Sequence, residues 1–455
     1  MNLDCFDIIV LGAGPAGLVA AMSSVTDNLR VAIIDAPDLN LRSVDSQTII
    51  PKVELYSKVG GNTRYWGGQI AYFSIDELHT FVESAGISLN EVEKLQNEMR
   101  EVAKSLGLAF DLENKYYDIF QEKYIFNFKH VYSTYVKSLD ITKLFGIQNS
   151  LKRQTIKLIQ GKVKKLSIYD GRCTGILMSD ENYLKVNSNQ AVFIALGAIG
   201  STELLMRSLP EVASKFLHPM VDHPHGYVAA FKTKRASDVY RRTHFKVDSK
   251  SFKRKFLMRS TDTKSTGIAE LHYEYYEHSF PNITRVPLNK FEAVMQLLNR
   301  FSLKFFGVPI SRPRLIWVWV QIEQLPSSKN LPRFGKNNVI EFPFGLSEMD
   351  LKLIEEFQSI VITEIESAGL ELVWRADSEY VAKHFEGAYH PSGSLPMNVN
   401  SEMSLVAPYG SFKEVQNLFI ASSATWPKPS WVNPTFMLIV FAKFVYREMR
   451  QKLFE

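Results

Sequence analysis

Apolar positions along the chain switch between two spacings. Ile8–Leu11 is an unbroken apolar run, followed by Gly12-Ala13-Gly14-Pro15-Ala16-Gly17, an apolar stretch over 18–22, and a second short run at 31–34 that closes on Asp35. Short unbroken runs around a glycine cluster predict strand, turn, helix and strand, with both strands buried on two faces. From Ser74 to about Ser150 the period becomes helical: Leu89, Val92, Leu95, Met99, Val102 and Leu106 recur at threes and fours with charges between them. Strand-like pieces return at 155–159, 163–168, 175–178 and 191–195, and alternating or apolar segments at 267–276 and 314–324 predict an antiparallel sheet in the middle third. Residues 346–370 read as an amphipathic helix ended by Gly369, 290–306 as a second one, 415–420 as a buried strand and 436–450 as a closing helix.

The first turn carries chemistry. Glycines at 12, 14 and 17 let the backbone turn sharply, let a pyrophosphate approach the main chain and let the helix pack on the strand. The helix amino terminus then offers unpaired N–H groups to phosphate. Asp35 stands 18 residues after Gly17, near the spacing of a carboxylate that holds a ribose hydroxyl. Together these predict a dinucleotide site.

Composition narrows the partners. Fifty-three basic against 48 acidic residues leave a net charge of +5, too mild to argue for nucleic acid. Two cysteines, Cys5 and Cys173, imply no disulfide framework and fit a reducing compartment, so a cytoplasmic location is the expectation. The fold begins by Phe6, with no room for a cleavable signal peptide, and no run of 18 apolar residues spans a bilayer. Charge is uneven, however: ten Lys or Arg fall between Lys232 and Lys255 against Asp238 and Asp248. The plain reading is the solvent face of strands. The sharper one is a surface for an anionic substrate or membrane, and 290–306, with Lys290, Arg300 and Lys304, adds peripheral membrane contact or a cover over the substrate entrance to the open readings.

Later segments resemble the glucose-methanol-choline (GMC) oxidoreductases. Val59-Gly60-Gly61-Asn62-Thr63-Arg64-Tyr65-Trp66-Gly67-Gly68 is similar to the glycine-rich segment that lies along FAD in that family; the pyranose-oxidase-like branch has a flavin-linked His where this chain has Tyr65. A non-covalent FAD is the implication. Residues 192–206 resemble the strand that returns beside the cofactor, with Ser201 or Thr202 as the expected helix cap. Asp222-His223-Pro224 resembles the crossing into the substrate domain, where His223 is expected to be a hydrogen-bonded hinge without a catalytic role.

His390-Pro391-Ser392-Gly393-Ser394-Leu395-Pro396-Met397 is similar to the segment whose His faces the flavin. Trp431-Val432-Asn433-Pro434-Thr435 is similar to the one holding the second catalytic residue, with Asn as in the cholesterol-oxidase-like and pyranose-oxidase-like branches. Pro434 restricts Asn433 to extended backbone and so fixes the direction of its amide.

The resemblance implies an α/β fold with a discontinuous Rossmann-like FAD-binding domain (1–75, 150–226 and 385–455), a helical insert (76–149) and an antiparallel-sheet substrate domain (227–384). It sets FAD against Gly12, Gly14, Pro15, Ala16, Gly17, Asp35, Gly60, Gly61, Asn62, Thr63, Trp66, Gly67, Val163, Gly197, Ser422, Pro434 and Thr435; where many members have Asp, this chain has Ser422. No metal is expected. The implied reaction oxidises an alcohol, sugar-like, polyol, anionic or glycan-linked, to a carbonyl. His390 would be the base, because an ordinary imidazole pKa of about 6.5 leaves it neutral at working pH. Asn433 would hold the same oxygen. A non-redox lyase of the same fold, and a protein that holds a nucleotide without turnover, are the alternative readings.

Overall fold

The computed structural model describes residues 3–36, 40–41, 55–56, 59–64, 68–108, 129–136, 138, 140–209, 215–233, 244–247, 250–273, 315–398, 402, 404–428 and 430–455, with single positions between 294 and 305. A five-stranded parallel sheet forms one half, in the order Leu418–Ile420, Ala191–Ile194, Ile8–Leu11, Val31–Asp35, Ile156–Gln160. Every residue of Ile8–Leu11 and Ala191–Ile194 is buried, as strands covered on both faces require. Strand order reverses between Ile8–Leu11 and Ala191–Ile194, so a crevice opens beyond their carboxyl ends, where open α/β sheets bind ligands. Pro15–Thr26 packs beside the closing helix Pro434–Leu453 and the two ends of the chain meet there: Tyr446 donates to Asp27 at 2.7 Å.

The other half is an eight-stranded antiparallel sheet. Its path runs Glu371–Arg375, His225–Lys232, Leu315–Ile322, Thr266–Tyr273, Lys250–Arg259, Lys129–Tyr135, Gln69–Ile70, with His244–Val247 hung on Lys250–Arg259. Alternation along Leu315–Ile322 divides its faces. Ile316, Val318, Val320 and Ile322 pack under the helix Glu348–Ser367, against Leu353, Ile354, Phe357, Val361 and Ile365. Each such fully buried side chain contributes about 1.5–3 kcal/mol. Trp317, Trp319 and Gln321 point the other way, toward the crevice side.

Several expectations change. The helical pattern after Ser74 gives helices Ile75–Ala85 and Glu91–Ser105, but Lys129–Tyr135 is a strand of the antiparallel sheet, so the 76–149 segment is not helical throughout. The helix after Ala191–Ile194 begins at Gly197, not after Ser201 or Thr202; Thr202 lies inside it and bonds Ala198 O and Ser394 Oγ, both at 2.7 Å. The lysines at 253 and 255 do not face solvent: Lys255 is 3% exposed. Val294, Leu298, Phe301 and Phe305, on the predicted 290–306 helix, are helical and exposed. Among the described residues, no helix is long and apolar enough to cross a membrane.

Candidate active site

The glycine turn is built for close approach. Gly12 has φ +102°, and a Cβ there would sit 2.5 Å from Ala195 O; a Cβ on Gly17 would sit 2.0 Å from Gly12 O. At Gly14 nothing lies nearer than 4.0 Å to that position. The turn is therefore closed against the protein at Gly12 and Gly17 and open at Gly14, the cap of Pro15–Thr26, which no side chain caps. Pro15 and Ala16 open the helix, whose first N–H groups are left for an anion. The second glycine segment lies on the first: Gly60 N–H donates to Ala13 O at 2.8 Å, and a Cβ on Gly61 would be 3.2 Å from Gly14 Cα. Thr63 is buried and donates to Gly60 O at 2.5 Å; Asn62 is placed by main chain only, in the 3-10 turn Gly61–Arg64. Tyr65, Trp66 and Gly67 lie outside the described residues.

Asp35 ends the second strand with its carboxylate on the Ala36 N–H at 3.1 Å and the Ala13 main chain, and burial pushes its pKa up to about 6. Beside it, Gly161 N–H donates to Asp35 O at 2.8 Å, which sets the turn into Val163–Tyr169 next to the acid; Val163 is half-buried there. Gly197 has φ +68° with nothing within 4 Å of a Cβ. Ser422 is spent locally: its hydroxyl accepts from Ala424 N–H at 3.1 Å. A dinucleotide such as FAD fits this arrangement, since the open cradle at Gly14, the uncapped helix and the carboxylate at the end of the second strand lie along the crevice at the switch point.

The segment after His390 is stitched to the parallel sheet. Gly393, Leu395 and Met397 N–H groups donate to Ser423, Ala424 and Thr425 carbonyls, and Ser392 exchanges both main-chain bonds with Val221. Asp222, buried, clamps the histidines: one of its oxygens accepts from the main-chain N–H of His223 at 2.6 Å and of His390 at 2.9 Å, and Ala388 and Tyr389 main chains also bond its carboxylate. Burial outweighs these bonds and lifts Asp222 to about 6. The ring nitrogens His223 Nδ1 and His390 Nδ1 meet at 3.2 Å. Burial lowers His223 to about 4 and lowers His390 well below the ordinary histidine value, with His223, His225 and Lys255 adding to the effect on His390. His223 is hydrogen-bonded at the crossing, as expected, and is also a direct neighbour of the predicted base.

Asn433 sits at the cap of Pro434–Leu453 with φ −57° and ψ 129°, as Pro434 requires, and its amide makes no cap bond. Thr435 follows in the first turn. Gln321 donates to Trp431 O at 3.1 Å, and the Ser430 main chain lies by the His223 ring, so this segment and His390 meet around His223.

The crevice-facing sheet side carries groups that no motif announced. Register places His225 opposite Gln321, and Tyr227 and Glu270 opposite Trp319. Glu270 is buried, paired with Lys255 at 2.7 Å and with Lys253, and 3.2 Å from His272; Tyr227 OH meets His272 at 3.1 Å. These cations hold Glu270 well below the usual carboxylate range against the cost of burial. The signal was present as Lys-x-Lys in one strand and Glu-x-His in its neighbour, each pair spaced for one face.

Comparison with known proteins places the architecture. The GMC oxidoreductase profile matches residues 356–442, and that of Glucose inhibited division protein A matches 7–244. No curated protein sequence matches the chain. Among solved structures, pyridoxine 4-oxidase from Mesorbium loti is similar with a TM-score of 0.64 at 14% identity, covering 98% of this chain and 99% of that one. A formate oxidase of Aspergillus oryzae RIB40, carrying an arginine substitution and studied for FAD modification, gives 0.57 at 13% identity, with 98% of each chain covered. At these identities the structures speak for the fold.

Proposed function

We propose that the chain, whose residues 356–442 match the GMC oxidoreductase family and whose fold is shared with two oxidases, is an FAD-dependent oxidoreductase that oxidises the CH–OH group of a sugar-like, polyol or anionic substrate to a carbonyl, with His390 as base. The observation that carries this reading is His390 itself. Its main chain is locked to Asp222 and its ring is held neutral below the ordinary pKa, so it can take a proton at neutral pH. FAD, when bound, would supply the acceptor for the hydride that leaves the alcohol carbon. The chain's own residues do the rest. His390 takes the hydroxyl proton, and the uncommitted Asn433 amide donates to the oxygen as alkoxide character develops.

The test is direct. The purified holoprotein is reduced anaerobically with pyridoxine, sorbitol, glucose, glucuronate and formate while flavin absorbance is followed. At least one alcohol should bleach the flavin, and His390→Ala should keep FAD yet lose about 10²–10⁴-fold in the rate of reduction. Bleaching by formate alone, or near-normal reduction in His390→Ala, removes the proposal.

A further inference from the structure

We propose that His223 is a positioning residue that selects the tautomer of His390, accepting the His390 Nδ1 proton on its own Nδ1 so that the His390 Nε2 lone pair is the one offered to substrate. The inference rests on His390 being the base.

Two imidazole nitrogens 3.2 Å apart need one proton between them. Two lone pairs at that distance repel, and two N–H groups clash. The contact is fixed rather than incidental, because the main-chain N–H groups of both residues, 167 positions apart, converge on the same oxygen of Asp222. Geometry around His223 gives the proton its direction. Its Nδ1 is committed to His390, and the Ser430 main chain favours a proton on the His223 ring. We place that proton on His223 Nε2, the ring nitrogen that does not face His390; it is buried and makes no hydrogen bond of good geometry. His223 Nδ1 then carries the lone pair, His390 Nδ1 the hydrogen, and His390 Nε2 is bare.

The charges facing the pair keep both rings in this neutral state. Lys255 and His225, from the antiparallel sheet, disfavour a proton on either ring. Asp222 spends its carboxylate on main-chain N–H groups rather than on a ring nitrogen. In the opposite tautomer His390 would turn an N–H toward the substrate hydroxyl and could not accept its proton.

Two substitutions separate this from a packing role. Asn places its oxygen close to where His Nδ1 stands and keeps the acceptor; Leu keeps volume and removes it. With FAD content and thermal melting checked for each, anaerobic reduction is measured with the fastest alcohol of the panel. His223→Leu should lose about 10²-fold or more in the limiting rate with little change in the concentration dependence, and His223→Asn should recover to within about fivefold of the wild type. Both variants near wild type, or both equally slow, overturns the proposal. If His390→Ala is slow and His223→Leu is not, this inference fails alone; if His390→Ala is normal, the base reading fails and takes it along. A second measurement needs no substrate. In holoprotein with 15N-labelled histidine rings, the His390 signals, identified by their loss in His390→Ala, should report Nδ1 protonated and Nε2 bare; the reverse tautomer overturns the proposal.

Discussion

Replacing Asp222 with Asn tests whether burial or hydrogen bonding governs the residue that clamps the two histidines. Four main-chain N–H groups bond the carboxylate, which favours its ionised form, yet complete burial opposes it more strongly and lifts the pKa from 3.8 to about 6. An acid held above its unfolded value keeps its proton in the folded state while the unfolded chain releases it. Stability is therefore full below 3.8, falls as pH rises, and levels off above about 6. At 1.36 kcal/mol per pH unit the loss is about 3 kcal/mol.

Asn cannot titrate and lacks this slope. At pH 4 the variant should be weaker by about 2 kcal/mol, because its amide N–H₂ cannot accept from the main-chain N–H groups, whereas both oxygens of the neutral acid keep lone pairs for them. Urea denaturation of both proteins at pH 4, 5, 6 and 7 gives the difference directly, and groups common to both cancel. The wild-type advantage should shrink by about 2 kcal/mol between pH 4 and pH 7 and be gone by pH 7. An advantage that stays constant or grows with pH refutes the reasoning, since it would mean that the four N–H bonds outweigh burial.

Other expectations follow from the same geometry. Because the His390 proton affinity is held below that of an ordinary histidine, the rate of flavin reduction should be flat above about pH 6.5 and fall only below it; a rate still climbing between pH 7 and 8 contradicts this. The Lys255 charge contributes to that depression, so Lys255→Met should move the acid limb of the pH–rate profile upward while costing about 3 kcal/mol in urea melts by breaking the buried pair with Glu270. Gly17→Ala should abolish FAD retention on gel filtration, since its Cβ would overlap Gly12 O at 2.0 Å; a stoichiometric yellow protein would remove the close-approach account of this turn.

What was legible in the sequence was what is local. The glycine turn, Asp35 and the buried strands declare themselves within thirty residues because backbone sterics and burial act on neighbours. His390 and Asn433 were singled out by the resemblance of their segments to a known family, each beside a proline that restricts its backbone. His223 was not, because Asp-His-Pro reads as a local bend and its partner lies 167 residues away. Thr202 misled for a similar reason: it resembles a helix cap, but its hydroxyl is used inside the helix and on Ser394. The strand Lys129–Tyr135 was hidden by a run of aromatics and charges, and Lys253 and Lys255 by the expectation that lysines face water.

The order of strands in the parallel sheet also sets an order in time. Leu418–Ile420 is the edge strand, docked on Ala191–Ile194, and the carbonyls just after it hold the His390 segment. During synthesis the glycine turn emerges first, but its sheet lacks that edge, His390 lacks its tether, and Pro15–Thr26 lacks the helix Pro434–Leu453 that covers it. A nascent chain thus has neither that edge, that tether nor that cover until residues 418–453 have been made.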